Sequence, residues 1–372
     1  MWGATAGTRY NACMLRIGFV IDDLGHGGAQ RQLALIAEAL RGRAILRVVV
    51  LSGVREPYGT RLLNAGAEVI HLPRRAGFEL ARLRALSAAL RVFSPDVIHG
   101  FLDASNAYAF IAARRLRAPV VMSLRSDRLT VTGPRAAIVR IMFRRADAVV
   151  VNSHAGREYL LRSVGVAPSR VHGLPNIIPP ALPGAPRDLH MIGCVGRLVP
   201  LKRFAKVIDA LPIVRAQIPD ARLTIVGEGP DMHALRERAA PLGDAVTFTG
   251  EVENAAGLVG GFGCVVVASE YEGLPNAALE AMAAGVPVVA VRAGDLPGLI
   301  EDGVTGCFSA GAAPDALAGA IVRALADARL HDSARIQGPR LVAERFSAER
   351  ARDALLAVYT HITNESGAPT GV

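Results

Sequence analysis

Short, nearly unbroken apolar runs alternate along the chain with longer stretches in which apolar residues return at helical spacing. The segments Leu15–Ile21, Leu46–Leu51, Glu68–Leu72, Asp96–His99, Val120–Arg125 and Ala148–Ser153 read as strands of the buried parallel type. A strand covered on both faces loses the polar alternation of a half-exposed one. Helices are expected between them, at Gln32–Leu40 after a loop over Asp22–Arg31 and at Phe78–Phe93. In the second of these Leu80, Leu83, Leu86 and Leu90 share one face. A second series begins at Met191–Val195 and continues through Arg222–Gly227, Val246–Thr249, Gly263–Ala268 and Val286–Val291. A final helix is expected over Arg345–His361, apolar at Phe346, Leu355, Leu356, Val358 and Tyr359, with a frayed tail from about Thr363. Strands alternating with helices imply an α/β fold with parallel sheets.

The stretch Leu174–Pro186 holds five prolines and no charge, and reads as a stiff connection between two domains. A length of 372 residues agrees with two domains. With 51% hydrophobic and 20% charged residues, each half can bury a core, and disorder is excluded. No apolar run reaches the roughly 18–20 residues of a membrane-crossing helix. No apolar region of signal-peptide type precedes the first strand, and either Met1 or Met14 could start the chain. The four cysteines (Cys13, Cys194, Cys264, Cys307) form no CxxC pair; Cys194 and Cys264 lie in apolar strands and read as reduced core residues of a cytoplasmic protein.

Charge changes the picture. Residues 1–180 carry 25 Arg and 11 acids, a net of +14, whereas residues 181–372 carry 17 basic and 22 acidic residues, a net of −5. A basic half suits an anionic, phosphate-rich or membrane-borne partner, although an arginine-rich composition alone would give the same count. The candidate surface includes Arg74, Arg75, Arg82, Arg84, Arg91, the Arg114–Arg117 cluster, Arg144 and Arg145, with the leucines of Phe78–Phe93 buried beneath. Only 5% of residues are aromatic and none interleave with these arginines, so nucleic acid is not the expected partner.

Candidate chemistry concentrates in Ser269–Ala290, SEYEGLPNAALEAMAAGVPVVA. Leu274-Pro275-Asn276 turns into a helix rich in Ala, Leu, Met and Glu. Gly285 stands where a left-handed cap belongs, and Pro287 follows. Backbone N–H groups near Gly273 and Leu274 form an anion site. Glu272 and Glu280 beside it suit hydroxyl donors, so the ligand is expected to be part phosphate and part sugar. Gly27-Gly28, in a glycine loop after the first strand, lets backbone approach a ligand. The loop lacks the G-x-G-x-x-G dinucleotide fingerprint. His99 ends a strand, where open α/β sheets place ligands. Lys202 is one of only two lysines in an arginine-rich chain, and marks a site suited to a compact ammonium.

The Glu272…Glu280 spacing within EGLP…LEAMAAGVPVVA resembles the signature of the retaining GT-B glycosyltransferases of family 4, glycosyl transferases group 1. The resemblance covers nearly the whole chain and is specific from about Gly193 to Gly306. It implies two Rossmann-like domains facing a central cleft: an acceptor-side domain over 1–180, a nucleotide-sugar donor domain over 187–345, and a helix over 346–362 packing back on the first. By the same resemblance Glu272 lies by the donor sugar with the Gly273 and Leu274 amides, Glu280 binds the ribose, and Arg197 and Lys202 bind the diphosphate. Gly27 and Gly28 face that diphosphate, His99 contacts the transferred sugar, and the loop at Val252 meets the base through its backbone. Asn176 matches the family's asparagine before the second domain. Two departures stand out: Arg203 replaces the glycine usual after the lysine, and Gly298 replaces the glutamate usual after Pro297.

The expected reaction is retaining transfer from a nucleotide diphosphate sugar to a saccharide or lipid-linked acceptor of envelope polysaccharide or glycolipid synthesis. Uridine is favoured over guanosine on family frequency. No cofactor and no metal are expected, since no Asp-x-Asp occurs in the chain. The location expected is cytoplasmic, with peripheral attachment to the inner face of the plasma membrane. Two alternatives stand beside this reading. A nucleotide-sugar epimerase of the same fold would form product without acceptor. A non-catalytic nucleotide- or sugar-binding protein would bind without turnover.

Overall fold

A computed structural model of the chain describes residues 14–73, 79–181, 186–252 and 255–365. The first series of elements is β1 (Leu15–Ile21), α1 (Gly28–Ala39), β2 (Ala44–Val50), α2 (Gly59–Asn64), β3 (Glu68–His71), α3 (Leu80–Phe93), β4 (Val97–Gly100), α4 (Asp103–Leu116), β5 (Val120–Leu124), α5 (Pro134–Arg145), β6 (Ala148–Val151), α6 (His154–Tyr159) and β7 (Val171–Gly173). The strands form one sheet in the order β3-β2-β1-β4-β5-β6-β7. Ile17 of β1 faces Leu46 on one side and Val97 on the other, both in parallel register. Ile17, Phe19, Val20 and Ile21 are fully buried, which is why β1 reads as an unbroken apolar run. Parallel neighbours require right-handed crossovers; these place α1 and α2 on one face of the sheet and α3, α4 and α5 on the other.

The second series is β8 (Asp188–Val195), α7 (Phe204–Arg215), β9 (Arg222–Val226), α8 (Met232–Ala239), β10 (Val246–Gly250), α9 (Ala255–Val259), β11 (Phe262–Val267), α10 (Asn276–Ala283), β12 (Val288–Ala290), β13 (Gly306–Phe308), α11 (Pro314–Ala326), α12 (Ala328–Arg345) and α13 (Ala348–Glu365). Its sheet runs β10-β9-β8-β11-β12-β13. One apolar cluster packs Cys194, Leu223, Ile225 and Cys264 under Leu211, Val214 and Ile321 of α7 and α11. Another packs Val265 and Val288 under Leu279 and Met282 of α10. Cys194, Cys264 and Cys307 are buried free thiols, and burial pushes all three above the ordinary thiol range.

By contacts the chain divides into two compact units. The first contains the described residues through Ser123, with Ile141–Val149 and the described residues from Leu356 on; the second contains the described residues of Leu124–Arg140 and Val150–Leu355. Among the described residues no helix is long and apolar enough to cross a membrane.

Several elements differ from expectation. Helix α1 begins at Gly28, four residues before the expected Gln32, so the glycine pair forms the helix start and not the middle of a loop. Strand β7 adds a seventh member to the first sheet after β6. Phe346 does not belong to the last helix: it closes α12, its N–H donating to Val342 O, and its ring joins the α10 cluster. Helix α13 runs to Glu365, and Thr363 is a buried residue whose hydroxyl donates to Tyr359 O, so no fraying begins there. In α3 the outer-face assignment is corrected twice. Leu80 is 61% exposed, whereas Arg82 is buried, its guanidinium bonding Leu51 O (3.0 Å) and Tyr108 OH (2.8 Å). The helix starts at Leu80, and inside the protein the Arg82 guanidinium has a carbonyl and a phenol as hydrogen-bond partners, as a buried polar group requires. Arg74, Arg75, Phe78 and Cys13 lie outside the described residues.

Candidate active site

Ligands of open α/β sheets bind at the carboxyl ends of the strands, where the strand order reverses. In the second sheet that point lies between β8 and β11. The chain leaving β8 passes Gly196 and the exposed Arg197, then forms a one-turn helix over Pro200–Lys202. The chain leaving β11 passes Ser269 and Glu272 into the turn before α10. The two loops are tied by the Glu270 N–H donating to Leu201 O at 2.9 Å. Across this join Lys202 Nζ reaches Glu272 Oε1 at 2.6 Å, with side-chain exposures of 24% and 10%. The same oxygen accepts the Ser269 hydroxyl at 2.6 Å.

Arg203 resolves the first departure from the family pattern. Its φ of +54° and ψ of +31° are the left-handed values that glycine adopts freely. The turn is therefore kept, at about 1–2 kcal/mol for a residue with a Cβ. The Arg203 guanidinium pairs with Glu270 at 3.1 Å and helps hold it. Behind this turn, backbone lies on backbone: a Cβ at Gly227 would stand 2.1 Å from Gly196 O, and one at Gly229 2.2 Å from Leu198 O.

Pro275 caps α10 in extended conformation, without a side-chain cap bond and without an acid in the first turn. Among the described residues the N–H groups of Gly273 and Leu274 donate to no acceptor. Such a helix start carries positive potential and unfilled donors. Glu280, in the body of α10, is 5% exposed. Gly285 has φ +66°, as its place after the helix requires. The stretch Arg292–Asp295 closes on the motif from behind. A Cβ at Gly294 (φ +50°) would lie 1.7 Å from Glu272 O. The Asp295 N–H donates to Gly273 O at 3.2 Å, and the Asp295 carboxylate accepts the His154 and Ala155 N–H groups at 2.7 and 3.2 Å. Val252 follows β10 and packs beside the α10 cluster, half-buried.

The structure therefore joins Lys202, Glu272, Gly273 and Leu274, with Arg197 on the loop that delivers Lys202. His99 belongs to the first unit. It is fully buried, with Nδ1 2.6 Å from Tyr359 OH and Nε2 2.7 Å from Ser123 Oγ, between the rings of Phe19 and Phe101. Burial holds the Tyr359 phenol well above its ordinary range, as a neutral hydroxyl. Gly27 caps α1 and Gly28 is its first residue, with no side-chain cap bond. Gln30 folds over Gly27, its Oε1 2.2 Å from where a Cβ would stand, and its amide donates to Asp23 Oδ1 at 3.0 Å. Asp22, at the end of β1, is pushed up by burial and accepts the Ser105 N–H at 2.7 Å.

Ser269, Gly294, Asp295 and Tyr359 were not legible as site or support residues. For Gly294-Asp295 a signal existed, a glycine–acid pair just after a strand; for Tyr359 none did, because its partner lies 260 residues away.

Residues 190–327 match the family described as "Glycosyl transferases group 1", and residues 27–177 match "Glycosyl transferase 4-like domain". The chain is 39% identical over 153 residues to a GDP-mannose-dependent alpha-(1-6)-phosphatidylinositol monomannoside mannosyltransferase of Mycolicibacterium smegmatis, covering 38% of this chain and 40% of that protein. It is 35% identical over 195 residues to a D-inositol 3-phosphate glycosyltransferase of Mycobacterium avium, covering 49% of this chain and 44% of that protein. The matches thus span less than half the length of these relatives. In fold it is similar to Anabaena Alr3699/HepE, solved in complex with UDP and glucose, with a TM-score of 0.80, 21% identity, and 93% of this chain and 100% of that one covered. It is also similar to sucrose-phosphate synthase from Thermosynechococcus elongatus, at a TM-score of 0.75 and 22% identity over 94% of this chain and 100% of that one. With both sheets parallel, the Glu272–Glu280 motif at the second switch point and both family descriptions matched, the chain belongs to the group 1, family 4 glycosyl transferases of GT-B fold.

Proposed function

We propose that the chain is a retaining glycosyltransferase that moves a sugar from a nucleoside diphosphate sugar to a saccharide or lipid-linked acceptor of envelope polysaccharide or glycolipid synthesis. The observation that carries the reading is the meeting of Lys202 and Glu272 at the switch point, beside two amides without acceptors. Without ligand, Glu272 neutralises Lys202. A donor diphosphate takes the ammonium as its counter-charge and frees the Glu272 carboxylate for a sugar hydroxyl. As the glycosidic bond breaks, negative charge grows on the diphosphate; Lys202, Arg197 and the Gly273 and Leu274 amides are donors fixed in advance for it. Glu280 takes the ribose hydroxyls and the Val252 loop the base. The acceptor hydroxyl attacks from the face the diphosphate leaves, and the departing phosphate takes its proton. His99 acts by fixing the end of β4 through Tyr359 and Ser123. These positive groups serve the diphosphate without a divalent metal.

The mannosyltransferase relatives are GDP-mannose-dependent by name, whereas the Anabaena structure holds UDP. The test therefore screens UDP and GDP, each with its sugar conjugates, by thermal shift. Ligand at 100 times its Kd adds about 2.7 kcal/mol to native stability. One nucleoside diphosphate should raise the melting temperature, and its sugar conjugate should turn over slowly by hydrolysis even without acceptor. Binding without any turnover would overturn the enzyme reading, and no binding of either would overturn the donor site.

A further inference from the structure

The peptide groups that carry the Gly273 and Leu274 N–H donors are held from their carbonyl ends. The carbonyl of the first, Glu272 O, packs so closely on Gly294 that a Cβ there would stand 1.7 Å away. The carbonyl of the second, Gly273 O, accepts the Asp295 N–H at 3.2 Å. A trans peptide is planar, and its N–H points opposite to its C=O. Both N–H groups therefore turn away from Gly294 and Asp295, and among the described residues neither meets an acceptor. Whatever fixes the two carbonyls also sets where the two donors aim.

Asp295 is itself fixed through its side chain. Its carboxylate accepts the His154 N–H at 2.7 Å and the Ala155 N–H at 3.2 Å, from the first two residues of α6. A helix cannot satisfy those N–H groups within itself. A second contact joins the same places: a Cβ on Gly273 would stand 3.3 Å from Oγ of Ser153, the N-cap of α6. All these residues belong to the second compact unit.

Helix capping alone does not account for Asp295. Helix α6 has a cap of its own, since Ser153 Oγ accepts the Gly156 N–H at 3.1 Å. The extra carboxylate comes from 140 residues further along the chain, on the very residue whose N–H holds Gly273 O. Among the described residues no hydrogen bond or ion pair joins Asp295 to Lys202 or Glu272, which are engaged with one another. Asp295 can thus act on the amides without disturbing that pair.

We infer that Asp295 is a positioning residue for the transfer step: its carboxylate, anchored on the first N–H groups of α6, fixes the peptide group that aims the Leu274 N–H at the departing diphosphate. The inference rests on the proposed function. A donor fixed in advance acts on charge that develops as the bond breaks. Without the anchor, residue 295 shifts and the Leu274 donor meets that charge out of line. Nucleotide binding before the reaction, assigned to Lys202 and Glu280, is left largely as it was. Loss of Asp295 therefore separates kcat from nucleotide affinity.

The test measures acceptor-free hydrolysis of the UDP- or GDP-sugar that stabilises the full chain, with UDP-glucose and GDP-mannose among those screened. Calorimetry gives the affinity for the corresponding nucleoside diphosphate. Asp295→Ala should lower kcat at least tenfold and change the diphosphate Kd less than twofold. Asp295→Asn keeps an oxygen for one of the two N–H groups and should recover part of the loss. Asp302→Asn is the control. Asp302 accepts the Phe308 N–H at 2.9 Å and pairs with Arg323, so this change also removes a carboxylate bound to backbone, yet should leave kcat unaltered. Should Asp295→Ala not fold, Asp295→Asn carries the test, with kcat lowered threefold or more at unchanged Kd. A folded variant with wild-type kcat, or one whose kcat and affinity fall together, overturns the positioning role and leaves the donor reading standing. Wild-type protein that binds the diphosphate but hydrolyses no sugar conjugate of it overturns the enzyme reading, and the positioning role with it.

Discussion

At the scale of residues, the site is a pair of opposite charges waiting for a third. Lys202 and Glu272 satisfy one another at 2.6 Å, so neither can be removed without leaving the other charge partly buried and alone. Lys202→Ala and Arg197→Ala should each cost about 2.7–4 kcal/mol in transition-state stabilisation, read as a fall in kcat/KM, the range for losing one donor to developing charge. Glu272→Gln should lower kcat, while Glu280→Gln should mainly weaken nucleotide binding. The pair also predicts coupling: Lys202→Ala combined with Glu272→Gln should cost about 1 kcal/mol less than the two single changes added. Strict additivity in that cycle would remove the ion pair from the mechanism. Glu272 and Lys202 stand out as candidates by type and spacing and take their expected roles from the family resemblance, but their contact was not legible, because 70 residues separate them and only the sheet order brings them together. Arg203 shows the opposite limit. Its residue type argued against the turn, yet the fold imposes the left-handed backbone and Glu270 takes the guanidinium.

At the scale of elements, the helix of the motif was the most legible part of the chain. Its composition, Gly285 and Pro287 agree on one answer, and α10 starts at Asn276, where Leu274-Pro275-Asn276 is expected to turn into a helix. Helix α1 was read late because Gly27 and Gly28 look like loop; as cap and first residue, they make a helix start without side-chain cap instead. Support for the motif turn comes from Gly294, whose left-handed φ and lack of a Cβ admit the Glu272 carbonyl. Gly294→Ala should therefore destabilise the protein by about 2 kcal/mol or more, combining left-handed strain with overpacking. It should also reduce kcat/KM at least tenfold; a variant with normal melting temperature and activity would contradict this account of the turn. In α12, burial, and then the positive charge of Arg187, pull the His331 imidazole below its ordinary 6.5. The unfolded chain then binds the proton first, so stability present above about pH 6.5 is lost as pH falls through the folded value. The urea midpoint of wild type should drop between pH 7 and 5, and His331→Gln should flatten that drop. Parallel curves for the two proteins would assign the pH dependence elsewhere.

At the scale of the molecule, the parallel sheets were legible because buried strands read as apolar runs, while the inner face of a helix carrying charge was not. Arg82 is the case: helical spacing placed it outside, but Leu51 O and Tyr108 OH hold it inside. The layer α3–α4 and the end of α5 still exposes Arg84, Arg91, Arg115, Arg117, Arg144 and Arg145, together with Val92 at 81%. We propose that this face attaches the protein to an anionic bilayer from the cytoplasmic side, each arginine near the surface adding about 1 kcal/mol. Vesicle co-sedimentation should show binding to anionic but not neutral lipid, lost in 1 M salt, where the Debye length is about 3 Å. Equal binding to both lipids would leave the +14 of residues 1–180 a matter of composition.

The central claim is that Lys202 and the α10 turn hold a nucleoside diphosphate without metal. Titration calorimetry in EDTA tests it most directly, with UDP, GDP and their monophosphates run against wild type and Lys202→Ala. One diphosphate should bind wild type and bind Lys202→Ala at least tenfold more weakly, while its monophosphate should discriminate little between them. Equal diphosphate affinity in the two proteins, or binding that appears only when Mg²⁺ is restored, would contradict the account.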